Sequence, residues 1–232
     1  MIEVRPFEQL GGANHGWLAA RHHFSFAEYY DPKRMAWGQL RVWNDDEIAP
    51  QTGFPPHPHR DMEIITYVRK GAITHQDNLG NKGRTEAGDV QVMSAGTGIT
   101  HSEYNLEDET TQIFQIWIMP NQFNSAPSWG AKPFPKAERA GQFVTLASGN
   151  PEDSDALSIR ANARVVAATI KAGHSAEYQI AAGRKVYLVA ATGAYSVNGV
   201  AAKARDGVAI SDTQTISVSA SEDTEIVLVD VE

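Results

Sequence analysis

Short runs of β-branched and aromatic residues alternate with glycine- and proline-rich segments along most of the chain, and no long stretch repeats its apolar residues with a helical period. Strands separated by turns have this pattern. The pattern therefore predicts an all-β protein. The clearest predicted strands are 38–43, 62–68, 72–76, 89–93, 112–119, 165–170, 185–190, 194–198 and 225–231.

One segment, 121–163, breaks this pattern. It carries several prolines and the polar run Ser148–Asp155. Such composition is typical of a connection between domains. We therefore place a domain boundary near residue 135, which gives an N-terminal domain of residues 1–135 and a C-terminal domain of residues 136–232.

The two halves share a weak internal repeat. Lys70–Thr74 parallels Thr192–Ser196 with an offset of 122 residues, and Ala87–Val90 parallels Asp206–Ala209 with an offset of 119. Each half thus has a strand, a hairpin strand that begins at a glycine, and a glycine turn into the next strand. Repeats of this kind indicate duplicated units. We expect two antiparallel, jelly-roll-like β-barrels in tandem.

Charge and composition exclude several classes of function. The chain has 28 acidic against 20 basic residues and no block of Lys or Arg, so direct nucleic-acid binding is not expected. It has no cysteine, which excludes disulfides, thiolate nucleophiles and sulfur-ligated metals. No signal peptide is visible at the N-terminus, and the longest apolar stretch, 113–119, is too short to span a bilayer. These features favour a cytoplasmic protein without membrane contact.

Two pairs of candidate metal ligands have the same spacing. His57 and His59 are two residues apart, as are His101 and Glu103. In an extended segment, residues at positions i and i+2 point to the same face, so each pair can reach one ion. Three imidazoles and one carboxylate suit Fe(II), Mn(II), Ni(II), Zn(II) or Cu(II).

A lone His-x-His pair in a β protein more often lies on the surface or in a loop than at a metal site. Its coincidence with the second pair is what favours a ligand role. For His22, His23 and His75 we expect structural or surface roles, and nothing around His15 or His174 supports a ligand role. The glycines in 95–98 are expected to shape the turn before His101.

The segments around these pairs, Gly53–Val68 and Gly88–Tyr104, resemble the two signature segments of the pirin family within the cupins. The similarity also includes 23–26, 30–32 and 40–46, fades in the C-terminal half, and is strongest to bacterial pirin-like proteins described as quercetin 2,3-dioxygenases. The resemblance implies a bicupin fold and metal ligands at His57, His59, His101 and Glu103. A generic cupin motif would use Glu63 as the carboxylate instead, so both carboxylates stay candidates, with Glu103 preferred.

The resemblance also implies an activity. A single divalent ion, first of all Fe(II) with Mn, Ni, Cu, Zn or Co as alternatives, would orient a flavonol or another enolisable aromatic toward O₂, and Glu103 would accept the hydroxyl proton. Eukaryotic pirins are described as transcriptional cofactors, so the alternative is a non-enzymatic, metal-binding regulator that acts through a protein partner.

The C-terminal copy lacks this ligand set. The two offsets carry the four ligand positions to Gln179, Ala181, Ala220 and Glu222, so only one potential ligand remains. We therefore expect a metal-free C-terminal domain.

Overall fold

The computed structural model describes residues Met1–Glu232 and confirms an all-β chain, with only two short 3₁₀ helices at Phe7–Gln9 and Lys136–Arg139. No helix is long and apolar enough to cross a membrane. The strands of the first half are β1 Ile2–Arg5, β2 Gly11–Asn14, β3 Leu18–His22, β4 Leu40–Ile48, β5 Thr52–His59, β6 Glu63–Lys70, β7 Ala72–Asp77, β8 Lys82–Glu86, β9 Val90–Ser94, β10 Ile99–Asn105, β11 Thr111–Ile118 and β12 Ser128–Lys132.

Ten further strands follow the proline-rich segment. They are β13 Val144–Ser148, β14 Leu157–Ser158, β15 Ala163–Ile170, β16 Ser175–Gln179, β17 Lys185–Thr192, β18 Ala194–Val197, β19 Val200–Lys203, β20 Gly207–Ile210, β21 Thr215–Ala220 and β22 Thr224–Val231. All the predicted strands are present, with bounds that differ by a few residues.

In the first half, a seven-stranded sheet packs against a four-stranded sheet. The strand orders are β12-β9-β6-β11-β4-β3-β2 and β5-β10-β7-β8, and every pair is antiparallel. Apolar residues fill the space between them in two separate small clusters, one around Val68, Ile73 and Ile113 and the other around Ile64 and Ile99. Polar side chains occupy the region between those clusters, and the candidate site lies there.

The second half repeats this arrangement, which confirms the tandem jelly-roll prediction. Its sheets have the orders β1-β20-β17-β22-β15-β13-β14 and β16-β21-β18-β19. One feature crosses between the halves, because β1, at the start of the chain, pairs with β20. The boundary near residue 135 stays a prediction, and it falls between β12 and β13.

The large sheets of the two halves pack face to face. Trp43 and Phe114 of the first half share a buried core of 25 residues with Val165, Val227 and other residues of the second half. Burying apolar surface is the main favourable term in such an association. The halves therefore form one continuous structure through their large sheets, and each keeps its own interior.

Two strands that position candidate ligands, β5 and β10, lie outside the predicted strands. β5 contains Pro55, Pro56 and Pro58 and has little buried surface. Proline is compatible with an edge strand because it has no N–H to donate to a ladder, and β5 is an edge strand of its sheet. The apolar alternation that reveals a half-buried strand is therefore missing there.

Candidate metal centre

Antiparallel pairing of β5 and β10 brings the two ligand pairs together. His101 lies opposite His57, and Ile99 lies opposite His59. The ladder shifts register between His101 and Glu103, which marks a bulge. The turn before β10 needs Gly96 and Gly98, whose φ angles are +50° and +138°. This agrees with the predicted role of these glycines.

The three histidines form a compact group. Their ligand atoms all lie within 4.8 Å of one another. The two Nε2 atoms of His57 and His101 are 3.1 Å apart. Nitrogens bound to one ion at about 2.1 Å each, at a right angle, are separated by about 3 Å, so this spacing fits a shared metal. His57 and His59 are partly exposed and His101 is buried, which leaves one side of the group open.

Glu103 reaches this group from the interior of the barrel. Its Oε1 accepts hydrogen bonds from Gln91 Nε2 at 2.7 Å and Thr66 Oγ1 at 3.3 Å, and its Oε2 accepts one from Gln115 Nε2 at 2.8 Å. A second group of ligand atoms within 4.8 Å comprises His75, His101 and Glu103. The four predicted residues therefore fall into two clusters of three that share His101. His57, His59 and Glu103 do not all lie within 4.8 Å of one another.

The electrostatics of the site favour neutral imidazoles. Burial, and secondarily His57, lowers the pKa of His59 to about 4. Burial and the neighbouring histidines lower the pKa of His101 to about 2. Burial raises the pKa of Glu103 to about 7, although three hydrogen bonds oppose the shift. Metal ions bind deprotonated ligands, so these histidines are in the form that a cation requires at neutral pH.

The alternative carboxylate, Glu63, lies elsewhere. Its Oε2 accepts hydrogen bonds from Ser94 Oγ at 2.5 Å and from the backbone N–H of Arg160 at 3.1 Å. Arg160 lies near the end of the interdomain segment, just before β15, so Glu63 links the first half to the second. Glu63 belongs to neither group of clustered ligand atoms.

His75 was expected to have a structural or surface role, and a surface position is wrong. Its side chain is fully buried, its Nε2 is 2.8 Å from Asp77 Oδ2, and its Nδ1 is 3.4 Å from His101 Nδ1. The spacing of His75 and Asp77, again i and i+2, is the signal that the sequence offered. Burial lowers the pKa of His75, against an opposing effect of Asp77.

The other histidines stay away from the group. His22 Nδ1 contacts Asn44 Oδ1 at 2.8 Å, and His23 Nδ1 contacts the Tyr187 hydroxyl at 2.9 Å, across the boundary between the halves. Both are buried, as structural residues would be, whereas His15 and His174 are exposed.

An aromatic wall, formed by Trp117 and Phe26, borders the open side of the histidine group. The His59 ring meets Trp117 edge to face at 5.1 Å, and Trp117 meets Phe26 in the same way at 5.5 Å. Both residues of the wall are partly exposed. Trp117 Nε1 donates a hydrogen bond to Gln115 Oε1 at 3.2 Å, and Gln115 in turn donates to Glu103. A flat aromatic ligand beside His59 would have rings to pack against.

A cavity of about 570 Å³ lies in the C-terminal half and is lined by Thr169, Lys171, His174, Asp223 and their neighbours. It is remote from the three clustered histidines. The candidate centre is therefore assigned by its chemistry and not by cavity size.

The ladders correct the positions that the sequence offsets assigned in the second half. His75 lies opposite Glu103, and its counterpart at the offset of 122, Val197, lies opposite Val218. Glu103 therefore corresponds to Val218 and His101 to Ile216, instead of Glu222 and Ala220. The offset differs because the connections between strands differ in length. Tyr178 lies opposite Ile216, so it is the counterpart of His57.

Two family models match the chain, one in each half. Residues 3–118 match the family model described as Pirin. Residues 145–231 match the model described as the quercetinase C-terminal cupin domain.

Relatives extend the match to full length. A Pseudomonas aeruginosa protein provisionally named a quercetin 2,3-dioxygenase is 72% identical over 231 residues and covers 100% of both chains. The Escherichia coli K12 protein named quercetin 2,3-dioxygenase is 42% identical, over 100% of this chain and 99% of its own. The crystal structure of a bacterial pirin of Escherichia coli in complex with nickel(II) superposes with a TM-score of 0.93 at 42% identity, over 100% of this chain and 99% of that chain. The chain is a two-domain cupin and belongs to the pirin family.

Proposed function

We propose that this protein is a metal-dependent dioxygenase of the quercetin 2,3-dioxygenase type, and that His57, His59, His101 and Glu103 hold one divalent ion. The observation that carries the proposal is the group of three clustered imidazoles, two of which burial keeps neutral, with a buried carboxylate next to His101. Two relatives, 72% and 42% identical over the full chain, have names that refer to this activity.

The donor set fits a divalent cation. Three nitrogen ligands and one oxygen ligand suit Fe(II), Mn(II), Ni(II), Cu(II), Zn(II) or Co(II), and Fe(II) is the ion we expect. Such an ion, when bound, acts as a Lewis acid toward the enolic oxygen of an aromatic substrate. Glu103 is preferred to Glu63 as the carboxylate because its side chain reaches His101, whereas Glu63 hydrogen-bonds to Ser94 and Arg160.

The protein side chains would bind and orient the substrate. Trp117 and Phe26 provide aromatic surface beside His59 for a flat ring system. Glu103 is the group that accepts the proton of the substrate hydroxyl. Gln91, Thr66 and Gln115 hold its carboxylate in place, so the base is oriented before the substrate binds.

Metal analysis is the first test. Purified wild-type protein is expected to hold one equivalent of a divalent metal, and His57→Ala is expected to hold none. His174→Ala, which removes an exposed histidine of the second half, is the matched control and should bind metal as the wild type does. Equal metal content in His57→Ala and in the wild type would contradict the site.

Oxygen uptake with quercetin is the second test, made on protein loaded separately with each metal. We expect uptake with at least one metal, and a decrease in kcat of about 10²–10⁴-fold in Glu103→Gln, which keeps the shape of the side chain and loses its basicity. Glu63→Gln makes the same change at the alternative carboxylate and is the matched control. Metal binding without oxygen uptake for any metal would contradict the dioxygenase and favour a regulatory protein.

A further inference from the structure

A buried pair, His75 and Asp77, lies directly behind His101. β7 runs beside β10, with His75 opposite Glu103 and Asp77 opposite His101. His75 is 0% exposed and Asp77 is 8% exposed, so neither contacts a substrate from solvent. The proposed chemistry does not use either residue. Their hydrogen bonds show what they do.

The Asp77 carboxylate is held in one orientation. Its Oδ1 accepts hydrogen bonds from the backbone N–H groups of Leu79 at 2.9 Å and Asn81 at 3.1 Å. Its Oδ2 lies 2.8 Å from Nε2 of His75. A carboxylate only accepts hydrogen bonds, so Nε2 of His75 must carry the proton. In a neutral ring the Nδ1 atom of His75 then has a free lone pair.

That lone pair faces His101. The Nδ1 atoms of His75 and His101 are 3.4 Å apart. His75 Nδ1 accepts a hydrogen bond here, so His101 donates its Nδ1–H. Nε2 of His101 is then left without a proton and points at Nε2 of His57, 3.1 Å away. His57 is arranged in the same way, because its Nδ1 donates to the carbonyl oxygen of Pro55 at 2.7 Å.

Packing fixes the His75 ring in this orientation. The indole of Trp129 stacks on it with ring centroids 4.8 Å apart and an interplanar angle of 10°. Gly83 lies opposite His75 in the β7–β8 ladder, and a Cβ atom there would clash with the indole ring of Trp129. A glycine at this position therefore makes room for the indole that covers His75.

We propose that Asp77 and His75 are positioning residues that hold His101 in the tautomer with its proton on Nδ1 and its Nε2 lone pair directed at the metal position. The inference rests on the proposed function in one respect, namely that an ion binds there. Partners behind a metal-bound histidine commonly change metal affinity by 10–100-fold when they are removed.

The Asp77→Asn variant tests the tautomer directly. The two backbone N–H groups that point at Oδ1 require an oxygen there, so the new amide must place its nitrogen opposite Nε2 of His75. His75 would then accept at Nε2 and carry its proton on Nδ1. Two N–H groups would face each other between His75 and His101, and metal binding at His101 would be weakened.

The experiment combines zinc affinity by chelator competition with ¹⁵N NMR of the histidine rings. In the wild type we expect His75 to be protonated at Nε2 and, with zinc bound, a scalar coupling across the hydrogen bond between the two Nδ1 atoms. In Asp77→Asn we expect the His75 proton on Nδ1, no coupling and about 10–100-fold weaker zinc binding. Asn81→Ala is the matched control, because it removes a side-chain donor to Asp77 and leaves the backbone donors and the tautomer unchanged.

Circular dichroism and thermal unfolding of the metal-free proteins check the fold. Should Asp77→Asn not fold, His75→Phe replaces it, because phenylalanine keeps a ring for Trp129 to stack on and lacks the acceptor. The inference is overturned if wild-type His75 is protonated at Nδ1, or if the folded test variant (Asp77→Asn, or His75→Phe in its place) binds zinc as tightly as the wild type. Failure of the wild type to bind any metal would instead contradict the proposed function, and the His75 tautomer in metal-free protein would still test the pair.

Discussion

The two halves of the molecule have the same architecture, but the interior of the first half contains a polar region and that of the second is apolar. Both contain a four-stranded sheet and a seven-stranded sheet, and the strand order β9-β6-β11-β4 recurs as β20-β17-β22-β15. Even the irregularities match. The β6–β11 ladder shifts register between Gln112 and Ile113, and the β17–β22 ladder shifts between Ala190 and Thr192, which is the same place in the repeat. The same strand topology therefore forms whether the interior of the barrel is polar or apolar.

The ladders identify equivalent interior positions. Thr66 lies opposite Gln91 and Gln115, and these three side chains hold Glu103. The corresponding trio in the second half is Leu188, Val208 and Leu228, which are fully buried in its apolar interior of 17 residues. Polar groups that hold a carboxylate in one half are aliphatic in the other.

The difference shows what a buried polar centre such as the candidate site requires inside a barrel. A buried carboxylate is tolerated only where hydrogen-bond donors surround it. Ile216 and Val218, the counterparts of His101 and Glu103, have no such donors and need none. The first half carries small apolar clusters of 6 and 4 residues around its polar region, so part of its stability must come from elsewhere. The shared core between the halves is the natural source.

The largest expected effect is on the ion cluster where the halves meet. Asp45, fully buried, pairs with Arg69 of the first half and with Arg205 of the second, the latter at 2.6 Å. Asp45→Ala leaves Arg69 buried without this partner, and we expect a loss of about 3–5 kcal/mol in the free energy of unfolding.

Urea denaturation of metal-free protein measures this loss. Asp223→Ala, which removes an exposed ion pair with Lys171, is the control and should not change stability measurably. An Asp45→Ala variant as stable as the wild type would show that the halves do not depend on this cluster.

A cavity in the second half should separate stability from metal binding. Ile216→Ala is expected to lower the free energy of unfolding by about 2–5 kcal/mol, because the side chain is fully buried among aliphatic neighbours. Metal content should stay at the wild-type level. His101→Ala, at the equivalent position of the first half, should do the reverse and abolish tight metal binding. Loss of metal from a folded Ile216→Ala protein would contradict the division of roles.

Replacing a polar interior residue by its counterpart from the second half tests the comparison from the other side. Gln115→Leu copies Leu228 into the first half. It removes the hydrogen bond to Glu103 Oε2 and the acceptor for Trp117, so we expect about 1–3 kcal/mol of destabilisation and metal affinity reduced about tenfold. Calorimetric titration and urea denaturation measure both. Gln112→Leu, on the same strand, should change neither quantity, and an unaffected Gln115→Leu protein would argue against the polar support of Glu103.

The smallest expected effect is a pH dependence at the contact between His23 and Tyr187. Burial, and secondarily Arg5, holds the pKa of His23 well below the usual 6.5. As pH falls through about 6.5, the unfolded chain binds a proton that the folded chain excludes, so this contribution to stability is present above that pH and is lost below it.

The measurement is urea denaturation between pH 7 and 5. His23→Asn should lose stability less steeply than the wild type over this window, by about 1 kcal/mol per pH unit at the acidic end. His174→Asn, at an exposed position, should follow the wild-type curve. Parallel curves for His23→Asn and the wild type would show that His23 does not contribute to the pH dependence.

Much of the fold was predictable from local pattern. Strands such as β6, β11 and β22 are rich in buried β-branched and other apolar residues. β5 was not predictable in this way, because prolines and partly exposed histidines replace the alternation that marks a strand. The pairing of β1 with β20 was not predictable either, since the local sequence of Ile2–Arg5 does not indicate which strand, about 200 residues away, it pairs with.

The candidate ligands were predictable by residue type, and their surroundings were not. Spacing made His57, His59, His101 and Glu103 candidates, and the family resemblance made Glu103 preferred to Glu63. Spacing would equally have made His75 and Asp77 candidates. Whether a residue such as His75 faces solvent or His101 depends on the register of β7 against β10, which is a relation between two strands.

The sequence by itself determined the all-β class, the repeat, and the residues with metal-binding chemistry, because turn residues, β-branched runs and side-chain type act over a few neighbouring positions. Only the tertiary structure decided that Glu103 lies next to His101 while Glu63 faces Arg160, and that Ile216 and Val218 are the counterparts of the candidate ligands His101 and Glu103. It also decided that Asp77 and His75 lie directly behind His101. These relations depend on strand register and on packing between distant segments, which no short stretch of sequence specifies.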